Sequence, residues 1–529
     1  MVRPVLGPHP AMSATSELPG EHPPLRWLVG RWAPLWLLFA ICAVRAVSVP
    51  VGIVNVDESD FFLIARVMAR GGVVFRDVVE GVPPLIYVAY LPTALTRASL
   101  LPVRVVGVLA LWATCLVLRR ATETWTGSGR AGWLAAWAGL LATLCEGPSV
   151  SSELVMNLPS ALALEALVRA RRRGGWAWVA AAGAWVGVAS LVKHQAAVLL
   201  LPLAVGVLWP EPDAAPPFDR PGRRLGAAAL LAASSGVPWA LAAGAWWLQG
   251  ALPEFFEWVV VRDFAYAALK ADPPWGRLMQ SLVVCVLGAT LLLWMLAVRE
   301  AFRRWDAVRA MLVSALVLTW VPVSLGGRFY EHYFLQFAPP LAMLAGVGGA
   351  ALLARWPGLA RWKRSVVAAL LVLPVLGNLG YTVGRAVAGG YPGQDPKARA
   401  VAEWLRGAAA PGDTLFVWGH VTPLYVLSGL DPGTRYINTS THMGNFDPAH
   451  LPVDFDPRRY RNEADVRRTL EDLGRGKPRW FVDTAPADIH HWSRIPLQAF
   501  PELDAYLRAH YVQVGSPDGA AVYRRKDAP

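Results

Sequence analysis

The chain has 529 residues, of which 55% are hydrophobic and only 17% charged, with 25 tryptophans. That balance excludes an ordinary soluble globular protein, and repeated apolar runs of about 20 residues predict a polytopic membrane protein. The net charge of +12 does not point to a nucleic-acid partner, because the basic residues gather in short loops between apolar runs, where they set membrane orientation.

Residues 1–25 lack a compact signal-peptide pattern and are expected to form a disordered cytoplasmic tail. A membrane domain is expected over 26–390. Its first apolar run, Trp36 to Val56, ends directly at Asp57 and Glu58, so two carboxylates stand where a span meets water. An acid costs on the order of 3 kcal/mol near a bilayer centre, and its presence at the membrane edge calls for a role. The spacing of Phe61, Ile64, Ala65 and Met68 then predicts a short amphipathic helix lying on the membrane face. Gly71-Gly72 closes it, and an outer loop over 57–99 runs on through Asp77 and Glu80 to Pro83-Pro84.

Further spans are expected at Leu100–Leu118, Ala131–Cys145, Leu154–Val168, Trp176–Val192, Ala196–Trp209, Leu225–Leu248, Leu278–Val298, Ala310–Leu325, Tyr333–Ala354 and Ser365–Val387. Alternate loops are arginine-rich, as at Arg169 to Arg173, at Arg220 to Arg224 and at Arg299 to Arg309. Positive-inside bias then gives about eleven spans, an inside N-terminus and an outside C-terminus. Asp57, Glu80, Glu153, Lys193 and Arg328 all fall on that outer face. Cys42, Cys115, Cys145 and Cys285 lie within apolar runs without metal-ligand spacing and read as small core residues.

Spans stop near residue 391, and 391–529 are expected to form a small extracytoplasmic α/β domain. Helices are expected at 396–409, 463–473 and 497–510, and strands at 414–419, 436–439, 480–483, 511–514 and 520–523. No glycine-rich phosphate loop opens any of these helices, so no nucleotide site is expected. Trp418-Gly419-His420 and His490-His491 read as loop residues.

The order of features after the first span carries a resemblance: an acidic pair, a helix, a glycine turn, then D-x-x-E-G-x-P-P-L ending at Leu85. It resembles the first outer loop of the GT-C glycosyltransferases, within the branch of protein O-mannosyltransferases and aminoarabinose lipid A transferases (glycosyltransferase families 39 and 83). The resemblance implies an α-helical polytopic fold and transfer of a sugar from a polyprenyl phosphate. It also implies that Asp57 and Glu58 are the catalytic residues, Asp57 as the base and Glu58 as its neighbour. Two departures stand out: Val82 occupies a position where the family often has lysine, and Asp60 one where some relatives have arginine. The donor phosphate must therefore find its cation elsewhere.

Lys193, in a Lys193-His194-Gln195 break between two spans, is one candidate, since lysine binds phosphate as a point charge. Arg328 is the other, with two parallel donors for phosphate oxygens; the segment Gly326 to Tyr333 around it is similar to a late segment of bacterial family members. Tyr330, His332 and Tyr333 follow as aromatic surface for a sugar. Asp77, Glu80 and His194 complete the expected substrate-binding set together with Glu153 and Asn157, which lie four apart on one helix face with Ser151 or Ser152 as cap.

The expected reaction is a single inverting displacement at the outer face of the cytoplasmic membrane, onto a lipid, polysaccharide or protein acceptor. The lipid-linked sugar is the donor substrate, and the sequence identifies no definite cofactor, although Asp57, Glu58 and Asp60 are an alternative oxygen-ligand set for a divalent cation. A transporter or flippase of lipid-linked sugars, or a non-catalytic envelope-assembly protein, fits the same composition. A transporter should place its ionisable groups at mid-membrane, whereas these acids cluster at span ends.

Overall fold

The computed structural model describes residues 28–96, 99–212, 214–264, 274–444, 446, 451 and 455–526. The tail expected at 1–25 lies outside them. Among the described residues, six helical stretches are long and apolar enough to cross a membrane: Ala33–Val51, Leu101–Thr126, Pro221–Leu248, Ala307–Gly327, Glu331–Ala354 and Arg361–Gln394. Two of them are almost bare, with 11% of the apolar window buried in Pro221–Leu248 and 6% in Arg361–Gln394. Their exposed Leu241, Trp247, Leu371 and Leu373 form a surface suited to lipid. The protein is a multi-pass membrane protein.

Local sequence sets where these helices begin and stop. Leu101–Thr126 starts with Pro102 in its first turn and stops at Gly127, whose φ of 70° suits a left-handed C-cap. Ser128 caps Gly129–Leu141, and Ser151 caps Ser152–Arg173 by accepting from the Leu154 amide. Small residues then allow close crossing. A Cβ on Gly183 would lie 2.2 Å from the Leu231 carbonyl oxygen, so Trp176–Val192 and Pro221–Leu248 touch backbone to backbone there.

Two expected spans differ from regular helices. Trp176–Val192 ends at Lys193, whose backbone is extended, and a 3-10 turn over His194–Leu199 precedes the helix Leu200–Leu208. The span expected at Leu278–Val298 is broken: Pro274–Ala289 meets Leu291–Ala301 at 84°. The break is at Thr290, whose hydroxyl donates to the Cys285 carbonyl at 2.6 Å and takes an acceptor from the helical ladder.

The helix Val56–Ala69 is not the amphipathic surface helix that its spacing predicts. Nine consecutive residues, Glu58 to Arg66, are buried. The C-terminal part covers the side that would otherwise face water: Ser59 shares a hydrogen bond with Thr422 at 2.8 Å, and Asp431 pairs with both Arg66 and Arg70.

That C-terminal part carries a five-stranded sheet in the order β2-β1-β3-β5-β4, with β1 at Thr414–Trp418, β2 at Asp431–Pro432, β3 at Trp480–Asp483, β4 at Tyr511–Gly515 and β5 at Ala521–Arg525. Strand β1 pairs in parallel with β2 and β3, placing Phe416 beside Phe481, and β5 runs antiparallel to both β3 and β4. The strand expected at 436–439 is absent from the sheet. Tyr436 instead forms an isolated bridge with Val79 of the outer loop, and its hydroxyl donates to Asp465 at 2.7 Å. A second tie joins the same parts: Arg262 donates to both Asp465 oxygens at 2.6 and 2.7 Å while its guanidinium lies over Trp258.

Candidate active site

Asp57 and Glu58 leave the same helix start in different directions. Asn55 caps the helix by accepting from the Asp57 amide at 3.2 Å, and Glu58 returns to the Asn55 amide as the second half of a capping box. Glu58 is then fully engaged. Its oxygens also accept from the Val54 and Val150 amides at 2.8 Å and from both guanidinium nitrogens of Arg104. Although burial works against ionisation, Arg104 and the amides together hold the Glu58 carboxyl below its usual range. The expectation that Glu58 is catalytic is corrected: with 1% of its side chain exposed, it has no oxygen left to offer a substrate. For the same reason Asp57, Glu58 and Asp60 do not converge as a ligand set. Among the described residues no group of three His, Cys, Asp or Glu side chains is placed to hold a metal ion.

The Asp57 carboxylate is half-buried and accepts no hydrogen bond among the described residues. Burial pushes its carboxyl above the usual range, and His332, Asp60, Lys193 and His420 are near enough for their charges to act on it. Those groups come from four separate stretches of chain. His332 stacks on Tyr330 with ring centres 5.4 Å apart and meets Tyr333 edge-on at 4.9 Å. Lys193 pairs with Glu153 at 3.3 Å and places its ammonium 5.6 Å from the Tyr333 ring centre. Arg328, 4% exposed, follows the Gly326-Gly327 turn and acts electrostatically on Tyr333.

Glu80 is 9% exposed and accepts from the Gly81 amide and from Asn438, each at 2.9 Å. Burial and then Asp60 push its carboxyl up to about 7. Glu146, which the sequence did not single out, is similarly raised by burial to about 7, and accepts from the Ser149 hydroxyl.

Three expected site residues are placed otherwise. Asp77 closes its own turn, accepting from the Val73 amide at 2.7 Å and pairing with Arg76, and is a structural residue of the loop. Asn157 donates to the Leu335 carbonyl at 2.9 Å and ties two helices. His194 turns to Asp263 at 3.1 Å, with its ring centre 5.9 Å from that of Trp239. The sequence also passed over His420. Its Nε2 lies 3.9 Å from Asp60, and only a contact spanning 360 positions could have revealed it.

A narrow apolar groove is lined by Met156, Ser160, Leu164, Gln195, Pro322 and Gln336 among others, next in sequence to Lys193 and Glu153. Glu153, Met156, Ser160 and Leu164 follow one another along one face of Ser152–Arg173, so this face runs from the charged centre into the groove. Gln336 donates to Gln195 at 2.9 Å at the groove's edge.

Residues 82–239 match the family model described as dolichyl-phosphate-mannose-protein mannosyltransferase. No curated protein sequence matches the chain. Among solved structures, the fold is similar to ArnT from Cupriavidus metallidurans bound to undecaprenyl phosphate, with a TM-score of 0.61 and 16% identity over 92% of this chain and 97% of that one. It is also similar to the archaeal oligosaccharyltransferase AglB from Archaeoglobus fulgidus, in complex with an inhibitory peptide and a dolichol-phosphate. There the TM-score is 0.51 and the identity 13%, over 94% of this chain and 75% of that one. Over residues 82–239 the chain thus resembles a membrane mannosyltransferase family by sequence, and over nearly its whole length it shares the fold of ArnT.

Proposed function

We propose that this protein transfers a sugar from a polyprenyl phosphate to an acceptor at the outer face of the cytoplasmic membrane. The observation that carries this reading is Asp57: a half-buried carboxylate that accepts no hydrogen bond among the described residues and on which the Lys193 charge acts, while the helix face that starts at Glu153, the partner of Lys193, runs on into an apolar groove. The similar ArnT structure holds undecaprenyl phosphate, and a groove lined by aliphatic side chains suits an isoprenoid chain.

Asp57 takes the proton of the acceptor hydroxyl or amine as that atom attacks the anomeric carbon. The bond from that carbon to the phosphate oxygen breaks on the opposite face, so the configuration inverts and polyprenyl phosphate leaves. The raised pKa of Asp57 makes it a stronger base than an exposed aspartate. Lys193 and Arg328 supply cations for the leaving phosphate in place of the lysine absent at Val82. Tyr330, His332 and Tyr333 form a wall of rings for the sugar, and Glu80 lines the acceptor side.

In this reading there are eleven traverses. The shorter apolar helices Trp176–Val192 and His194–Leu208, the broken span around Thr290, and Gly129–Leu141 and Ser152–Arg173 add to the six long ones. The arginine-rich loops place the N-terminus inside and residues 391–529, as a domain, outside.

The test is transfer from a panel of radiolabelled polyprenyl-phosphate sugars to membranes containing the native chain or Asp57→Asn at equal abundance. Transfer by the native chain and a loss of about a hundredfold or more in the variant are expected. Equal transfer by both removes Asp57 from the mechanism. Transfer from no donor shifts the weight to a transport or assembly role.

A further inference from the structure

Asp60 is a buried acid with an unmet need. It is 4% exposed, and its Oδ1 has no hydrogen-bond partner. One helical turn from Asp57, it shares a face with that residue, and it is the first charge to act on Glu80. Three carboxyl groups therefore crowd one space, and the cation that faces them comes from the far end of the chain. His420 Nε2 stands 3.9 Å from Asp60.

The fold places His420 there rigidly. It follows β1, where the Trp418 indole donates to the Ile495 carbonyl at 3.0 Å. Gly419 comes next with φ 158°, and a Cβ there would lie 2.3 Å from the Thr484 hydroxyl, so only glycine permits this approach. Thr439 accepts from the Gly419 amide at 2.9 Å, and the His490 ring lies 3.1 Å from the His420 carbonyl oxygen. His490 itself has a left-handed backbone, φ 51°, and sits 3.8 Å from Asp395. A strained residue held against the carbonyl of another is a costly way to fix a surface loop.

We propose that His420 is a positioning residue of the reaction centre, the counter-charge through which the C-terminal part sets the ionisation of Asp57 by way of Asp60. The proposal rests on the transferase reading for its kinetic arm only. The groups that face His420 are Asp57 and Asp60 from the Val56–Ala69 helix, Glu80 from the outer loop, and His490 from the C-terminal part, with Asp395 beyond it. Burial disfavours the imidazolium, but Asp60, Glu80 and Asp57 outweigh it and raise His420 above the ordinary histidine range.

Two readouts on the full chain test this. The first is the pH profile of sugar transfer. His420→Gln removes a positive neighbour of Asp57, so the acid limb of the profile should move up by about one pH unit, with most activity recovered at alkaline pH. His420→Arg should restore the native limb. Asp60→Asn removes a negative neighbour and should move the limb the other way. A uniform drop at every pH without rescue by arginine overturns the proposal, since a merely structural histidine would behave so.

The second readout needs no activity: the titration of isotope-labelled histidines by NMR in detergent. One resonance, absent in His420→Gln, should titrate above the ordinary range and fall back toward it in Asp60→Asn. A His420 resonance that titrates normally and ignores Asp60→Asn overturns the pairing. A native chain that transfers from no donor fails the enzyme reading, while this titration still decides the pairing.

Discussion

The Arg104 guanidinium donates to both carboxylate oxygens of Glu58, joining residues 46 positions apart inside the protein. The pair fixes the start of the helix that carries Asp57 against the Leu101–Thr126 helix. Removing one partner leaves the other charge buried alone. Glu58→Ala or Arg104→Ala should therefore cost about 3–5 kcal/mol of stability. Asp57→Asn, next door, should leave stability unchanged. Thermal unfolding of the three variants in one detergent checks this, and a Glu58→Ala protein that melts with the native one would show that the pair does not hold the loop.

The ion pair of Lys193 with Glu153 gives a prediction of opposite signs. If Lys193 holds the donor phosphate, Lys193→Met should raise the KM for the lipid donor roughly tenfold or more, about 1.4 kcal/mol. Glu153→Gln removes the carboxylate that competes with phosphate for the same ammonium, so polyprenyl phosphate should bind more tightly. Equilibrium binding of labelled polyprenyl phosphate to the three proteins reads both signs.

Arg262 and Arg468 share Glu257 and Asp465, tying the outer segment at 252–264 to the helix Glu463–Gly476. Asp465 is fully buried. Arg262→Ala should destabilise the chain by about 3 kcal/mol. Because the two arginines serve the same acids, the losses in Arg262→Ala and Arg468→Ala should not add in a double-mutant cycle. Additive losses would mean that the two contacts act independently.

His442 sets a pH limit. Its ring is fully buried between Tyr436 and Trp418, with Nε2 2.6 Å from the Thr469 hydroxyl, and burial pushes its pKa down to about 4. The unfolded chain takes up this proton near pH 6.5 and the folded chain only near pH 4. The unfolded state thus binds more protons in that window, and stability falls as the pH drops from about 6.5 to 4, by roughly 3 kcal/mol. His442→Gln should flatten this slope in unfolding midpoints measured at a series of pH values. An unchanged slope would place the acid sensitivity elsewhere.

Much about this protein follows from residue order alone. Apolar runs long enough to span a bilayer, with arginines in alternate loops, make it a membrane protein whatever its packing, because lipid admits few alternatives. Asp57 at a span end and Lys193 in a gap between two apolar runs are conspicuous for the same reason: a charge there is costly, so its position is informative.

What each charge does was left to tertiary structure. Asp57 and Glu58 are equivalent in sequence, yet Arg104 and the Val150 amide engage Glu58 and leave Asp57 open. The 3.6-residue period of Val56–Ala69 reads as a half-wet helix, but a segment more than 350 positions later, around Thr422 and Asp431, packs on it, and nine consecutive residues are buried. His420 is an unremarkable loop histidine until β1 and its neighbours bring it to Asp60. The physical reason is common to all three. Periodicity and local charge report what a segment needs, whereas the partner that meets the need is set by contacts distant in sequence, whose energies depend on burial that no local pattern carries.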